Sequence, residues 1–272
     1  MDAPFVVPEV QGGDGDVLDK LLVLQKEKVA AVLATVVEAT GSTPARAGFK
    51  MIVTVESQFG TVGGGAFENA IVERCREMIA STSQPALVRH STRDLGMCCG
   101  GTMTVFLEPH LPAPRLVVFG AGHVASAVCT AASPAGFEVT VCDGREEWLT
   151  DERFPDAKKL ILVDADSAVD RAAVASSSYV LVMTHDHALD EEVLVRLLRL
   201  PALPRFLGVI GSRSKRVRFA QRLEARGFAP SIIDKIRMPV GLDLGGRTAA
   251  EIAVAVTAEL ISVRYERDKV AT

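Results

Sequence analysis

Val117-Val118-Phe119-Gly120-Ala121-Gly122-His123-Val124-Ala125-Ser126-Ala127-Val128 breaks an apolar run with Gly-x-Gly-x-x-Ala, then resumes it at helical spacing. A second apolar run, Phe137-Glu138-Val139-Thr140-Val141-Cys142, ends on Asp143. Strand, glycine turn, helix, strand and acid follow in the order of a dinucleotide-binding βαβ unit. The reasons are local. Gly120 permits a tight turn, and Gly122 lets backbone N–H groups approach a phosphate. The helix that opens at His123 adds about half a unit of positive charge at its N-terminus. Asp143 is placed to accept a ribose hydroxyl, and a carboxylate there would repel a second phosphate. NAD-like ligands are therefore expected over NADP-like ones. The stretch points to a nucleotide or another phosphorylated cofactor and names no reaction.

Working outward, strand candidates at 116–119, 138–142, 160–163, 179–183 and 207–210 alternate with helices. That pattern predicts an α/β fold with a doubly wound parallel sheet, helices on both faces. A last helix from about Thr248 to Arg264 is apolar on nearly every side and is expected to be buried between layers, domains or subunits. Upstream, Pro109, Pro112 and Pro114 mark a boundary. Before it, helices at about 16–28 and 66–81 and strands at 29–37, 50–55, 86–90 and 102–107 read as a small α+β module. The expected organisation is a flexible leader over 1–15, an N-terminal domain over 16–112 and a Rossmann-like domain over 113–272.

The bulk properties exclude several classes. The chain has 272 residues, 48% of them apolar, a mean hydropathy of +0.24, a net charge of −4 and a pI near 5.8. It is expected to be globular, and an acidic balance argues against a nucleic-acid partner. No apolar run approaches the ~20 residues of a membrane helix, and the first residues lack a signal peptide's basic start and apolar core. With five cysteines in a chain of this length, reduced thiols in a cytoplasmic protein are expected rather than a disulfide scaffold.

Further constellations carry chemistry. Cys98-Cys99-Gly100-Gly101 puts adjacent thiols on a glycine loop, and a thiolate is a soft metal ligand, a nucleophile and a sulfur carrier. The plain alternative is a small packed hydrophobe. Cys75, Cys129 and Cys142 lack paired spacing for a four-thiolate zinc site. Gly63-Gly64-Gly65 runs into a helix carrying Glu68, either an anion cradle or simply a tight turn. Gly41-Ser42-Thr43-Pro44-Ala45-Arg46 offers the Ser42 and Thr43 hydroxyls and the Arg46 guanidinium to a phosphate or carboxylate. Thr184-His185-Asp186-His187 follows a strand, where an open parallel sheet binds ligands. His185 and His187 read as a ligand-facing loop rather than a metal site, and Asp190 as a cap for the next helix. Ser212 is expected to cap its helix, with Arg213, Lys215 or Arg216 meeting an anion.

Together these motifs, with Pro239-Val240-Gly241-Leu242-Asp243-Leu244-Gly245, resemble the XdhC/CoxI family of xanthine dehydrogenase accessory proteins over residues 25–264. The resemblance implies an N-terminal XdhC/CoxI-type domain joined to a Rossmann domain. It implies an accessory protein rather than an enzyme, a chaperone whose cargo is the molybdenum cofactor (molybdopterin). Such a protein would work with a cysteine desulfurase that sulfurates the cofactor and a xanthine dehydrogenase-like apoenzyme that receives it; the apolar final helix and a delivery role favour protein contacts, and a homodimer is expected as the commonest closed oligomer. By this resemblance Cys98 or Cys99 meets the molybdenum or handles the sulfur. The cofactor-binding set comprises Ser42, Thr43, Arg46, Gly63, Gly64, Gly65, Glu68, Gly100, Gly101, Gly120, Gly122, His123, Asp143, His185, His187, Ser212 and Arg213. One departure stands out. The family often reads Gly-Ala-x-Thr-Pro before the last helix, and here Gly245-Gly246-Arg247-Thr248-Ala249 lacks the proline, which weakens the expected helix start.

Two other readings compete. An NAD-dependent oxidoreductase explains the second half and leaves Cys98-Cys99 unassigned. A thiol-based redox or zinc-binding regulator explains that pair without any pterin.

Overall fold

The computed structural model describes residues 14–81, 84–91 and 100–265. The chain divides into two compact units, Met1–Pro112 and Ala113–Thr272.

In the first unit, α1 (Asp14–Lys26) precedes β1 (Ala31–Thr40), β2 (Lys50–Thr54) and β3 (Gln58–Gly60). Helix α2 (Gly65–Ser81), β4 (Ala86–Ser91) and β5 (Thr102–His110) complete it. The sheet runs β3-β2-β1-β5-β4 and is antiparallel throughout. Alternation along β1 explains its near-continuous apolar sequence: side chains two apart share a face. Val32, Ala34 and Val36 join Phe67, Ile71 and Met78 of α2 in one core, while Ala31 and Leu33 pack with Val17, Leu21 and Leu24 of α1 in another. Burying a side chain as large as Phe67, fully enclosed here, contributes about 1.5–3 kcal/mol. Strand β3 has no counterpart in the sequence reading, because three residues are too few to show a period. Pro109, read there as a boundary residue, lies inside β5 opposite Val32. It is tolerated because β4 ends opposite Leu107, so beyond that point β5 has no partner on its other side.

The second unit carries β6 (Arg115–Phe119), α3 (His123–Ala132), β7 (Glu138–Asp143), β8 (Lys159–Leu162), α4 (Ala165–Arg171) and β9 (Tyr179–Val182). It continues with α5 (His187–Leu198), β10 (Phe206–Val209), α6 (Arg213–Ala225), α7 (Pro230–Ile233) and α8 (Ala249–Arg264). Its parallel sheet has the order β10-β9-β6-β7-β8. Both faces are covered, which defines the doubly wound α/β fold. Leu116 and Val118 face Val128 of α3 and Val256 and Leu260 of α8. Val117 and Phe119 face Leu194 of α5 and Phe219 of α6. The order reverses at β6, and the crevice between the carboxyl ends of β6 and β9 is the switch point where such sheets bind ligands.

Helix α8 starts without the missing proline. Thr248 accepts from the Glu251 N–H at 3.2 Å while the Glu251 carboxylate accepts from the Thr248 N–H at 2.9 Å. This capping box supplies what the proline would have given. The preceding glycine-rich segment packs on α8 itself: the Gly241 N–H donates to Glu259 at 2.7 Å, and the Leu242 N–H to Ala255. The helix is covered on one side, with Val254 58% exposed on the other. Among the described residues no helix is long and apolar enough to cross a membrane.

Candidate functional site

The first unit brings its separate motifs to one place. A Cβ on Gly101 would lie 2.5 Å from the Ser42 carbonyl oxygen and 2.6 Å from that of Thr40. A Cβ on Gly63 would meet Pro44 at 3.0 Å and Ala45 at 3.2 Å. The 41–46 loop therefore sits between the Gly63–Gly65 turn and Gly100-Gly101. Ser42 and Arg46 are exposed, Arg46 lies 6.0 Å over the Phe49 ring, and the Thr43 hydroxyl donates to the Ala45 carbonyl. Cys98 and Cys99, which directly precede Gly100 in sequence, lie outside the described residues.

The glycine turn is built around an acid of its own helix. Gly63, Gly64 and Gly65 take φ of 127°, 72° and 64°, a run that side-chain-bearing residues do not sustain. Buried Glu68 reaches back from the first turns of α2 into the concavity this makes. Its Oε2 accepts from the Val62 and Gly64 N–H groups, both at 3.1 Å, and from the Thr61 hydroxyl; Oε1 accepts from Gln58 at 3.3 Å. Two amides of the turn thus already hold the protein's own carboxylate, and the Gly63 N–H donates to the Thr61 hydroxyl at 3.1 Å.

In the second unit, Gly120 has φ 116°, and a Cβ there would lie 2.3 Å from the Met183 carbonyl oxygen. This close approach to the end of β9 is why a glycine is needed. Around Gly122, in contrast, nothing lies within 4 Å of a Cβ. It caps the N-terminus of α3 with no side-chain partner, so the approach to the helix start is open.

Asp143 ends β7 at the expected place but is fully engaged. Its Oδ2 accepts from the Ala121 N–H at 2.7 Å and Arg145 Nη2 at 2.8 Å; its Oδ1 accepts from Arg145 Nε at 2.9 Å and the Arg145 N–H at 3.0 Å. Burial alone would raise its pKa. The hydrogen bonds from Arg145 and Ala121, with the arginine's charge, outweigh that and hold the carboxyl below its ordinary range. Arg145 lies 4.5 Å and Arg153 4.4 Å over the Trp148 ring, and the His123 ring is 5.9 Å away, tilted by 30°. Arg153 Nη2 donates to the Ala121 carbonyl at 3.4 Å. Sequence reading missed Arg145, Trp148 and Arg153. The available signal was an arginine two residues past the acid, followed by the chain's single tryptophan.

Gly120, Asp143 and His185 line a cavity of about 50 Å³ with Phe119, Cys142 and Thr184. Small-molecule pockets span roughly 300–1,000 Å³, so a dinucleotide would lie along the open edge rather than inside. Cys142 is inert there, its thiol pushed up to about 12 by burial. His185 is exposed; His187, 72% exposed, has Nδ1 3.8 Å from Asp190. Among the described residues no group of three or more His, Cys, Asp or Glu could hold a metal.

Helix α5 is capped by Asp186, whose carboxylate accepts from the Ala188 N–H, and not by Asp190 as the sequence suggested. Asp190 is 1% exposed and pairs with Lys215 at 2.6 Å, while its other oxygen accepts from the Thr184 N–H and hydroxyl. Lys215 is thereby withdrawn from any anion. Arg216 donates to the Ile236 carbonyl and lies 3.5 Å from Asp234. Ser212 caps α6 by accepting from the Lys215 N–H, and Arg213 meets Asp243 at 3.3 Å on the exposed surface, a contact of little energetic weight.

A profile of the XdhC and CoxI family matches residues 24–91, and a profile of the XdhC Rossmann domain matches residues 116–260. The uncharacterized protein YqeB of Escherichia coli (strain K12) is 31% identical over 246 residues, covering 89% of this chain and 45% of YqeB. The chain thus spans less than half of that relative. The molybdenum cofactor insertion chaperone PaoD of the same organism is 24% identical over 294 residues, with 88% of this chain and 85% of PaoD covered. The crystal structure of a Bacillus halodurans xanthine dehydrogenase shares the fold, with a TM-score of 0.53 at 22% identity over 96% of this chain and 98% of that one. The chain belongs to the XdhC and CoxI family.

Proposed function

We propose that this chain is an accessory protein of molybdenum-cofactor maturation. It holds the molybdopterin cofactor for sulfuration and passes it to a xanthine dehydrogenase-like apoenzyme. One observation carries the reading: the 41–46 loop, the Gly63–Gly65 turn and Gly100-Gly101 converge, and Cys98 and Cys99 directly precede Gly100 in sequence. Family membership and the similarity to PaoD, named for cofactor insertion, support it.

The roles follow from chemistry. A soft sulfur group suits the molybdenum centre or the transferred sulfur, which assigns Cys98 or Cys99 to that end. Exposed Arg46, with Ser42, suits the pterin's phosphate. Glu68 shapes the turn rather than binding the phosphate, since its carboxylate already occupies the turn's amides. The partners in this reading are a cysteine desulfurase, the recipient apoenzyme and a second copy of the chain, and the compartment is the cytoplasm.

The test is cofactor loading. Protein incubated anaerobically with molybdenum cofactor is desalted, then molybdenum is read by mass spectrometry and pterin by fluorescence after oxidation. Cys98→Ser and Cys99→Ser are run alongside and assayed for activation of the apoenzyme. Near-stoichiometric molybdenum and pterin, reduced in a cysteine variant, is the expected result. Folded protein that retains no pterin ends the chaperone reading, and full loading and activation by both variants ends the cysteine role.

A further inference from the structure

The proposed function leaves the cluster beside the Gly120–Gly122 turn unassigned. Asp143 is the position that would read a ribose diol, yet Arg145 Nε and Nη2 and the Ala121 N–H all donate to its carboxylate. An acid so saturated neither needs a hydroxyl donor nor projects a net negative charge. A guanidinium carries five N–H donors on three nitrogens, and Arg145 uses Nε and Nη2 on Asp143. Nη1 has no hydrogen-bond partner among the described residues, and the side chain is 24% exposed. Arg153 lies over the same tryptophan, Nη2 touches the glycine turn, and its buried Nε has no hydrogen-bond partner. Its backbone is tied to α3 by the Ser126 hydroxyl at 2.9 Å. Two arginines stand against one buried carboxylate, stacked on an aromatic plane that orders both guanidiniums. Glu147, the other acid acting on Arg145, and the neighbouring Glu146, Asp151 and Glu152 are exposed to solvent, where their fields are screened. The open side of Gly122 and the start of α3 lie at the same turn.

We propose that the Rossmann unit binds a nucleotide carrying a phosphomonoester on its ribose, the chemistry of an adenosine 2′-phosphate, with Arg145 and Arg153 reading that phosphate beside Trp148. This reverses the NAD-like preference expected from Asp143 alone. The acid acts as a positioning residue that fixes Arg145 and the glycine turn together.

Trp148 is the chain's single tryptophan, so intrinsic fluorescence reports on the cluster directly. Adenosine 2′,5′-bisphosphate and 5′-AMP, neither of which absorbs at the tryptophan excitation edge, are titrated into the full chain, with NADPH and NADH compared by calorimetry. The expected result is at least tenfold tighter binding of the 2′-phosphorylated member of each pair, weakening with salt. Arg153→Met should remove most of that ratio and Arg153→Lys part of it, the loss falling mainly on the 2′-phosphorylated member of each pair. Equal or tighter binding of 5′-AMP or NADH, no binding of either pair, or a ratio untouched by Arg153→Met in folded protein each overturns the proposal. The wild-type ratio decides even if a variant fails to fold. Cofactor loading of the first unit is measured independently, so failure of one reading leaves the other standing.

Discussion

Each unit builds a glycine turn at a helix start and clamps a carboxylate against the turn's amides. In the first, Glu68 is held by amides, a hydroxyl and a carboxamide, all neutral. In the second, Asp143 is held by one turn amide and by Arg145, with Arg153 nearby. The electrostatic settings differ. At the first turn no cation bonds the carboxylate among the described residues; at the second a guanidinium pairs with it and another lies beside the turn. Glycine spacing therefore sets the backbone shape, and the partner of the acid sets the charge beside it.

The strongest way to break this comparison is through the glycines. Gly120→Ala drives a Cβ into the Met183 carbonyl at φ 116° and should cost ~3 kcal/mol or more. Gly122→Ala, with open space around it, should cost under ~1 kcal/mol while obstructing the anion approach. Urea unfolding should separate the two variants, and similar midpoints would show that the turn is not built as described.

Glu68→Ala strips the acceptor from two turn amides and should cost about 2 kcal/mol. It should also uncover an anion site, so that millimolar phosphate raises the melting temperature of the variant and not of the parent. A parent that responds as strongly would mean that Glu68 does not fill the cradle.

A smaller effect is expected from pH. Asp143's carboxyl is depressed below 3.8, so the folded state holds its proton less tightly than the unfolded one. Its contribution is complete above about 3.9 and is lost as pH falls through the lower folded value. Asp143→Asn should flatten the acid limb of stability below about pH 4. An unchanged limb would remove the Arg145 pair from the stability account. The smallest expectation is no change at all. Cys75 and Cys142, both pushed up to about 12 by burial, should resist iodoacetamide at pH 8 in the folded protein, as mass spectrometry of the digest would show.

How far these features were legible depends on the range of the interaction. The parallel sheet was readable because each strand carries its own apolar run, and Gly120-x-Gly122 announced the turn between two of them. Ser212 as a cap is a contact three residues long and was found. Glu68 was read as a ligand contact, because the sequence places an acid near a turn without saying whether it points inward. Asp190 was taken for a cap, since its partner Lys215 is 25 residues away and nothing local marks the pairing. Arg153 meets Trp148 and Ala121 only after the chain has folded back on α3, and β3 is too short to carry a period.

The order β3-β2-β1-β5-β4 also has a consequence in time. Strand β1 can zip to β2 almost at once, but Thr40 and its partner Thr102 lie 62 residues apart. At the ~5–20 residues per second of translation, that flank of β1 waits roughly 3–12 s for its neighbour. During this interval a strand destined for the middle of a sheet is an edge, with its ladder groups open to another nascent chain.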